Sequence, residues 1–277
     1  MIVPVLVGII AGLLFVNNSI TPGDLSRQIE KGLRERLGTV AEVHVKLAGP
    51  RGYRMLKGNF SRAEVQIRGF DVGPLDLNSA ITPTVAVPSP GNPKTGRVRE
   101  FIVDCRDFTY DGCRVEKLVL SLHNVRYDLD AAKERNQLRI FSMDPGTAEV
   151  QVPEWSLQNK MRSVLEGVTQ AKLSLLPGKV LVTGQKEVLH LRVPFSVEGR
   201  LVPRKNEVHF ARPRLKVGVV GLPRGFTEWL LEEINPVLTF DAKQEFPFTT
   251  DIGAIKIQKK TLCAEANLIL QQPATLL

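Results

Sequence analysis

From Leu189 to Leu201 the chain reads Leu-His-Leu-Arg-Val-Pro-Phe-Ser-Val-Glu-Gly-Arg-Leu, apolar at every second position but Gly199. Side chains on a strand alternate between two faces, so this spacing predicts a long β-strand with one wet and one apolar face. Shorter stretches repeat the alternation at Val43–Leu47, from Phe60 through Val65 and Ile67, at Lys172–Leu175, Val180–Thr183, Ala254–Ile257 and Thr261–Leu270. At Gly69 the apolar parity shifts to Phe70 and Val72, which marks a bulge.

Two hairpins can be put in register from the text alone. Asp111-Gly112 is a two-residue turn signal. Pairing Tyr110 with Cys113 sets Cys105 opposite Leu118, Val103 opposite Leu120 and Phe101 opposite Leu122. That register places Cys105 and Cys113 on opposite faces, so no disulfide is expected between them. In the second hairpin Leu201 faces Phe210. Leu215, Val217 and Val219 then have the wrong parity, and one extra residue near Ala211–Pro213 brings them opposite Val197, Phe195 and Val193.

Three amphipathic helices punctuate the strands. Leu25, Ile29, Leu33 and Leu37 form one stripe, entered through Pro22-Gly23-Asp24 and ended by Gly38. Glu154 to Thr169 is a second helix, with Leu157, Met161, Val164, Leu165 and Val168 on one face behind Pro153. A third runs from Pro223 to Ile234, with Phe226, Trp229, Leu230 and Ile234 as its stripe, and Asn235-Pro236 ends it. Residues 82–96 carry four prolines and two glycines, which reads as a loop or flap.

Ile2 to Val16 is free of charged residues. It is short against the roughly 20 residues of a bilayer span, and it has no basic leader or clear cleavage site. It reads as an uncleaved or poorly cleaved export anchor, with a buried core helix as the other reading. Its orientation is open, because Arg27, Lys31, Arg34 and Arg36 follow it.

No nucleophile elbow, phosphate-binding loop or dinucleotide fingerprint occurs. The four histidines are scattered in strand-like text, and the three cysteines lack metal-ligand spacing. No cofactor is expected. Net charge is +8, but aromatic content is only 6% and is not interleaved with basic residues, which argues against nucleic acid. Arg200, Arg204, Lys205, Arg212, Arg214 and Lys216 surround one hairpin. A second cluster holds Arg51, Arg54, Lys57, Arg62 and Arg68. Each is either a solvated face or a docking surface for anionic lipid head groups.

The segments Met55–Val65, Val115–Val125, Leu175–Val180 and Pro194–Gly199 resemble the bacterial phospholipid-binding lipomannan elongation factor family, over about residues 22–270. That family's fold is similar to the tubular lipid-binding (TULIP) superfamily. The resemblance implies a helix-filled curved sheet that binds phospholipid in an envelope compartment, with no catalytic motif to carry over.

The expectation is therefore an α+β fold: a long, strongly curved antiparallel β-sheet wrapped around amphipathic α-helices, with an N-terminal apolar anchor helix. Residues 1–20 would be the signal or anchor segment and 21–277 a single lipid-binding domain. The expected function is non-enzymatic phospholipid binding at the membrane, on the extracytoplasmic side. Leu157, Met161, Leu165, Phe195, Val197, Phe226, Trp229 and Leu230 are the expected lipid-lining residues. Arg200, Arg204, Lys205, Arg212, Arg214 and Lys216 are the expected head-group and membrane-docking residues. The rival is an assembly partner of envelope lipid or glycan synthesis with a filled core; an enzyme acting on lipid ranks third.

Overall fold

The computed structural model describes residues 22–37, 39–49, 57–72, 84–85, 94–110, 112–130, 139–188, 190–217, 225–239 and 248–270. Of these, 71% are in strands, so the molecule is mostly β rather than an even mixture. Its three described helices are α1 (Pro22–Leu37), α2 (Glu154–Val164) and α3 (Phe226–Ile234).

The strands form two sheets rather than one. The larger contains β1 (Val40–Ala48), β2 (Asn59–Val72), β3 (Thr84–Val85), β4 (Thr95–Tyr110), β5 (Cys113–Asp128), β6 (Arg139–Pro153), β12 (Phe248–Gln258) and β13 (Thr261–Leu270). Their order is β1-β2-β4-β5-β6-β13-β12, with β3 on β6. The smaller sheet runs β11-β10-β9-β8-β7, from β7 (Val168–Leu176), β8 (Lys179–Val188), β9 (Leu191–Arg204), β10 (Glu207–Val217) and β11 (Leu238–Thr239). Pairing is antiparallel except at β2–β4 and at the two-residue β3–β6 contact, which are parallel.

The larger sheet curls into a half-barrel, and the pattern of buried side chains shows how. On β4 the buried positions run Val98, then Phe101, Val103 and Cys105, then Phe108 and Tyr110. Twice, therefore, the alternation resets. Neighbouring strands reset at the same levels: β2 after Phe60 and before Phe70, β5 between Val115 and Leu118 and between Leu122 and Val125. Gly69 and Asp107, both with positive φ, lie between the paired levels Arg68–Arg106 and Asp71–Thr109. Such resets bend every strand at once while keeping apolar rows inside, as bulges do. Stacked Phe70 and Phe108, with centroids 4.9 Å apart, fill the inside of this bend.

The bend also corrects an expectation. The Tyr110–Cys113, Cys105–Leu118, Val103–Leu120 and Phe101–Leu122 pairs all form. Because parity resets at Asp107, however, Cys105 and Cys113 are both buried in the core rather than on opposite faces. Neither forms a disulfide, and the Cys113 thiol lies 3.1 Å from the Ser156 hydroxyl.

In the second hairpin Leu201 faces Phe210, Leu215 faces Val197 and Val217 faces Phe195, with one residue extra between Ala211 and Arg214. Arg212 takes the positive φ of that bulge. The strand begins at Leu191, which pairs with Val188 of β8; Leu189 lies outside the described residues. The second helix stops at Val164: Leu165 is its C-cap, Gly167 adopts a left-handed φ, and β7 begins at Val168. Within the proline-rich stretch Thr84–Val85 forms β3, and Thr95 and Gly96 already belong to β4. The expected anchor at 1–20 lies outside the described residues. Among those described, no helix is long and apolar enough to cross a membrane.

The two sheets meet around α2 and β12. Glu154, the first residue of α2, donates its N–H to the Lys260 carbonyl of the β12–β13 turn (2.8 Å). Its carboxylate accepts the Leu175 N–H of β7 (2.6 Å). Farther along, the Ile252 N–H of β12 donates to the Lys205 carbonyl of the β9–β10 turn (2.8 Å). A shared apolar cluster contains residues of both sheets and all three helices.

Candidate functional site

Three elements bring the expected apolar residues together. Leu157 and Met161 on α2, and Leu165 at its cap, are buried. So are Phe195 and Val197 on β9, and Phe226 and Leu230 on α3; Trp229 is partly exposed and packs on the same cluster. Helical spacing turns Phe226 and Leu230 to one side of α3. The Phe195 and Phe226 rings meet edge-on at 5.1 Å, and Phe226 and Trp229 lie 5.4 Å apart. Lys186 Nζ stands 4.2 Å from the Trp229 ring centre, a cation–π contact, and also donates to the Glu166 carbonyl (3.0 Å).

Gly184 is a residue of this site that strand alternation does not single out. It pairs with Phe195 across the β8–β9 ladder. A Cβ there would lie 2.8 Å from Val168 Cγ1 and 3.0 Å from Phe195 Cζ, so only glycine leaves room for the ring. A glycine inside the alternating Val180–Val188 stretch was the available signal. Gly199 does the same for Phe210, whose ring would be 2.5 Å from an added Cβ.

The six expected basic residues are all exposed along β9, β10 and their two-residue turn. None makes an ion pair with a described acid. The two acids of this hairpin are otherwise engaged: Glu198 with Lys179 (3.2 Å) and Glu207 with His209 (2.6 Å). The second basic cluster differs. Arg62 pairs with Glu64 and Glu100, and Arg68 with Asp107. Arg51 and Arg54 lie outside the described residues.

His44, His123 and His190 are exposed and His209 is half-buried against Glu207. Among the described residues no group of three or more His, Cys, Asp or Glu could hold a metal. The geometry is that of an apolar layer between sheet and helices, bordered by an uncompensated basic hairpin. That pairing of surfaces is suited to an amphiphile with an anionic head.

The chain belongs to a class of phospholipid-binding proteins. Residues 91–266 match the model of the LmeA-like phospholipid-binding family, and the protein is a member of that family. The matched region runs from just before β4 into β13 and contains every apolar and basic residue of the candidate site. Neither a curated protein nor a solved structure matches the chain.

Proposed function

We propose that the protein is a non-enzymatic phospholipid carrier or holder of the bacterial cell envelope, with a TULIP-like mode of binding. Acyl chains lie along the apolar layer formed by Phe195 and Val197 of β9 with α2 and α3. Head groups face the basic β9–β10 hairpin. Residues 21–277 act as one lipid-binding domain, and Ile2–Val16 anchors it on the extracytoplasmic side of a membrane. Roles in lipid transfer or envelope biogenesis follow from such a carrier, and nucleic acid is not a partner.

The observation that carries this reading is membership of a phospholipid-binding family over a segment that contains the whole apolar layer. The engagement of both hairpin acids supports it, because it leaves the six cations to an outside anion.

The test is native mass spectrometry of the intact protein taken from membranes, followed by lipid extraction. Bound phospholipid is expected, and Phe226→Ala with Leu230→Ser should lower its occupancy. Protein that is folded and carries none would reject the reading. It would favour instead an assembly partner with a filled core, the second reading, which the mutual contacts of Phe195, Phe226 and Trp229 favour.

A further inference from the structure

Where β12 of the larger sheet crosses β9 of the smaller, a surface groove of about 330 Å³ opens. Its walls include half-buried Leu201 and Val202 of β9 and half-buried Ile255 and Ile257 of β12, with exposed Arg200 and Arg212 beside them. Four half-covered aliphatics thus share one surface with two guanidinium groups.

The β9–β10 register brings these two arginines to the same groove. Arg200 pairs with Ala211, and the extra residue that follows puts Arg212 into the groove wall with a left-handed φ of 54°. Neither arginine has a described acid partner. The β12 side adds Lys259 and Lys260 at its turn, both exposed, with only a 3.9 Å approach of Lys260 to Glu154. Trp155, 53% exposed, follows Glu154, whose N–H is bound to that same turn.

We infer that this groove is the surface by which the protein sits on an anionic phospholipid bilayer. Arg200 and Arg212 bind lipid phosphates, and Leu201, Val202, Ile255 and Ile257 meet the upper acyl region. Arginine forks suit phosphate oxygens, and aliphatics beside them add the apolar burial that a purely electrostatic contact lacks. Exposed Trp155, next to the Glu154 that binds the β12–β13 turn, adds an aromatic of the type enriched at membrane interfaces. The inference rests on the phospholipid reading above and gives its docking step a definite face, distinct from the layer between sheet and helices.

The experiment is sedimentation of the full chain with vesicles of phosphatidylglycerol and phosphatidylcholine in equal parts, and with phosphatidylcholine alone. Binding should require phosphatidylglycerol. Arg200→Gln with Arg212→Gln should weaken it about tenfold or more. Ile255→Ser with Ile257→Ser should weaken it too, whereas Arg99→Gln with Lys172→Gln, exposed cations that do not line the groove, should leave it unchanged. Equal binding to both vesicles, or wild-type binding by the Arg200/Arg212 variant, would overturn the inference, as would Arg200/Arg212-dependent binding of a DNA duplex without vesicle binding. Phospholipid retained by the same purified variants, read by mass spectrometry, separates the two claims. Loss of docking with lipid retained supports a separate face, and docking by protein that never carries lipid sinks only the interior reading.

Discussion

Tyr127 is buried where β4 and β5 lie side by side, and its hydroxyl donates to the Gly58 carbonyl (3.0 Å). Two glycines make that possible. A Cβ on Gly96 would fall 2.2 Å from the Tyr127 ring, and one on Gly58 2.6 Å from its oxygen. Gly96→Ala should therefore destabilise by about 1–3 kcal/mol, the usual cost of overpacking, read as a lower denaturant midpoint. Burial pushes the Tyr127 hydroxyl well above its ordinary range. Burial first, and the Asp104 charge second, raise the Cys105 thiol likewise. In the unfolded chain these groups ionise near about 8.5 for cysteine and about 10 for tyrosine. The folded state then holds protons that the unfolded state has lost, so stability is intact below that window and declines as pH rises through it. Alkaline unfolding should begin above about pH 8.5, and Cys105→Ala with Tyr127→Phe should flatten the decline. A pH–stability profile identical in that variant would reject the assignment.

At the scale of elements, the bends of the larger sheet decide what could be read in advance. The β4–β5 register was legible because Asp111-Gly112 fixes the turn and three apolar pairs align behind it. The Gly69 bulge was legible because glycine announces it. The matching resets at Asp107 and Asn124 were not, since those residues take positive φ (52° and 51°) without any special spelling. Hence the wrong face for one of the two cysteines. β6 was missed because Asp144-Pro145-Gly146 spells a turn, whereas the strand runs through it with irregular pairing to β5. Asp107→Val should cost about 1–3 kcal/mol, because a β-branched residue resists left-handed φ, while Asp107→Gly should cost little. Equal midpoints for the two variants would show that the bend does not depend on this residue. Helix α2 is tied to the smaller sheet by Glu154, which accepts the Leu175 N–H at 2.6 Å. Glu154→Ala leaves that partly buried donor without its partner and should cost about 1–2 kcal/mol in the same assay.

At the scale of the molecule, a phospholipid held by the folded state alone stabilises it by mass action. Loading at about a hundred times the dissociation constant adds about 2.7 kcal/mol. For a chain of this size that corresponds to a Tm roughly 5–10 °C above the delipidated protein. No difference in calorimetry between loaded and stripped samples would count against a specific site. The apolar layer and basic hairpin were legible because both follow from periodicity and charge runs. What made them a site was not: Gly184 yielding to Phe195, and Glu198 and Glu207 captured by Lys179 and His209. These are contacts between distant strands, which one-dimensional spacing does not record. The parallel pairing of β2 with β4 has a further bearing on the proline-rich stretch. Val72 ends β2 beside Tyr110, yet the chain must re-enter at Thr95, at the opposite end of that ladder. Bridging some fifteen residues of strand, about 50 Å, takes at least about fifteen extended residues. The connection from Val72 to Thr95 therefore has a minimum length: cutting it to a tight turn would forbid the parallel register and open the half-barrel at that seam.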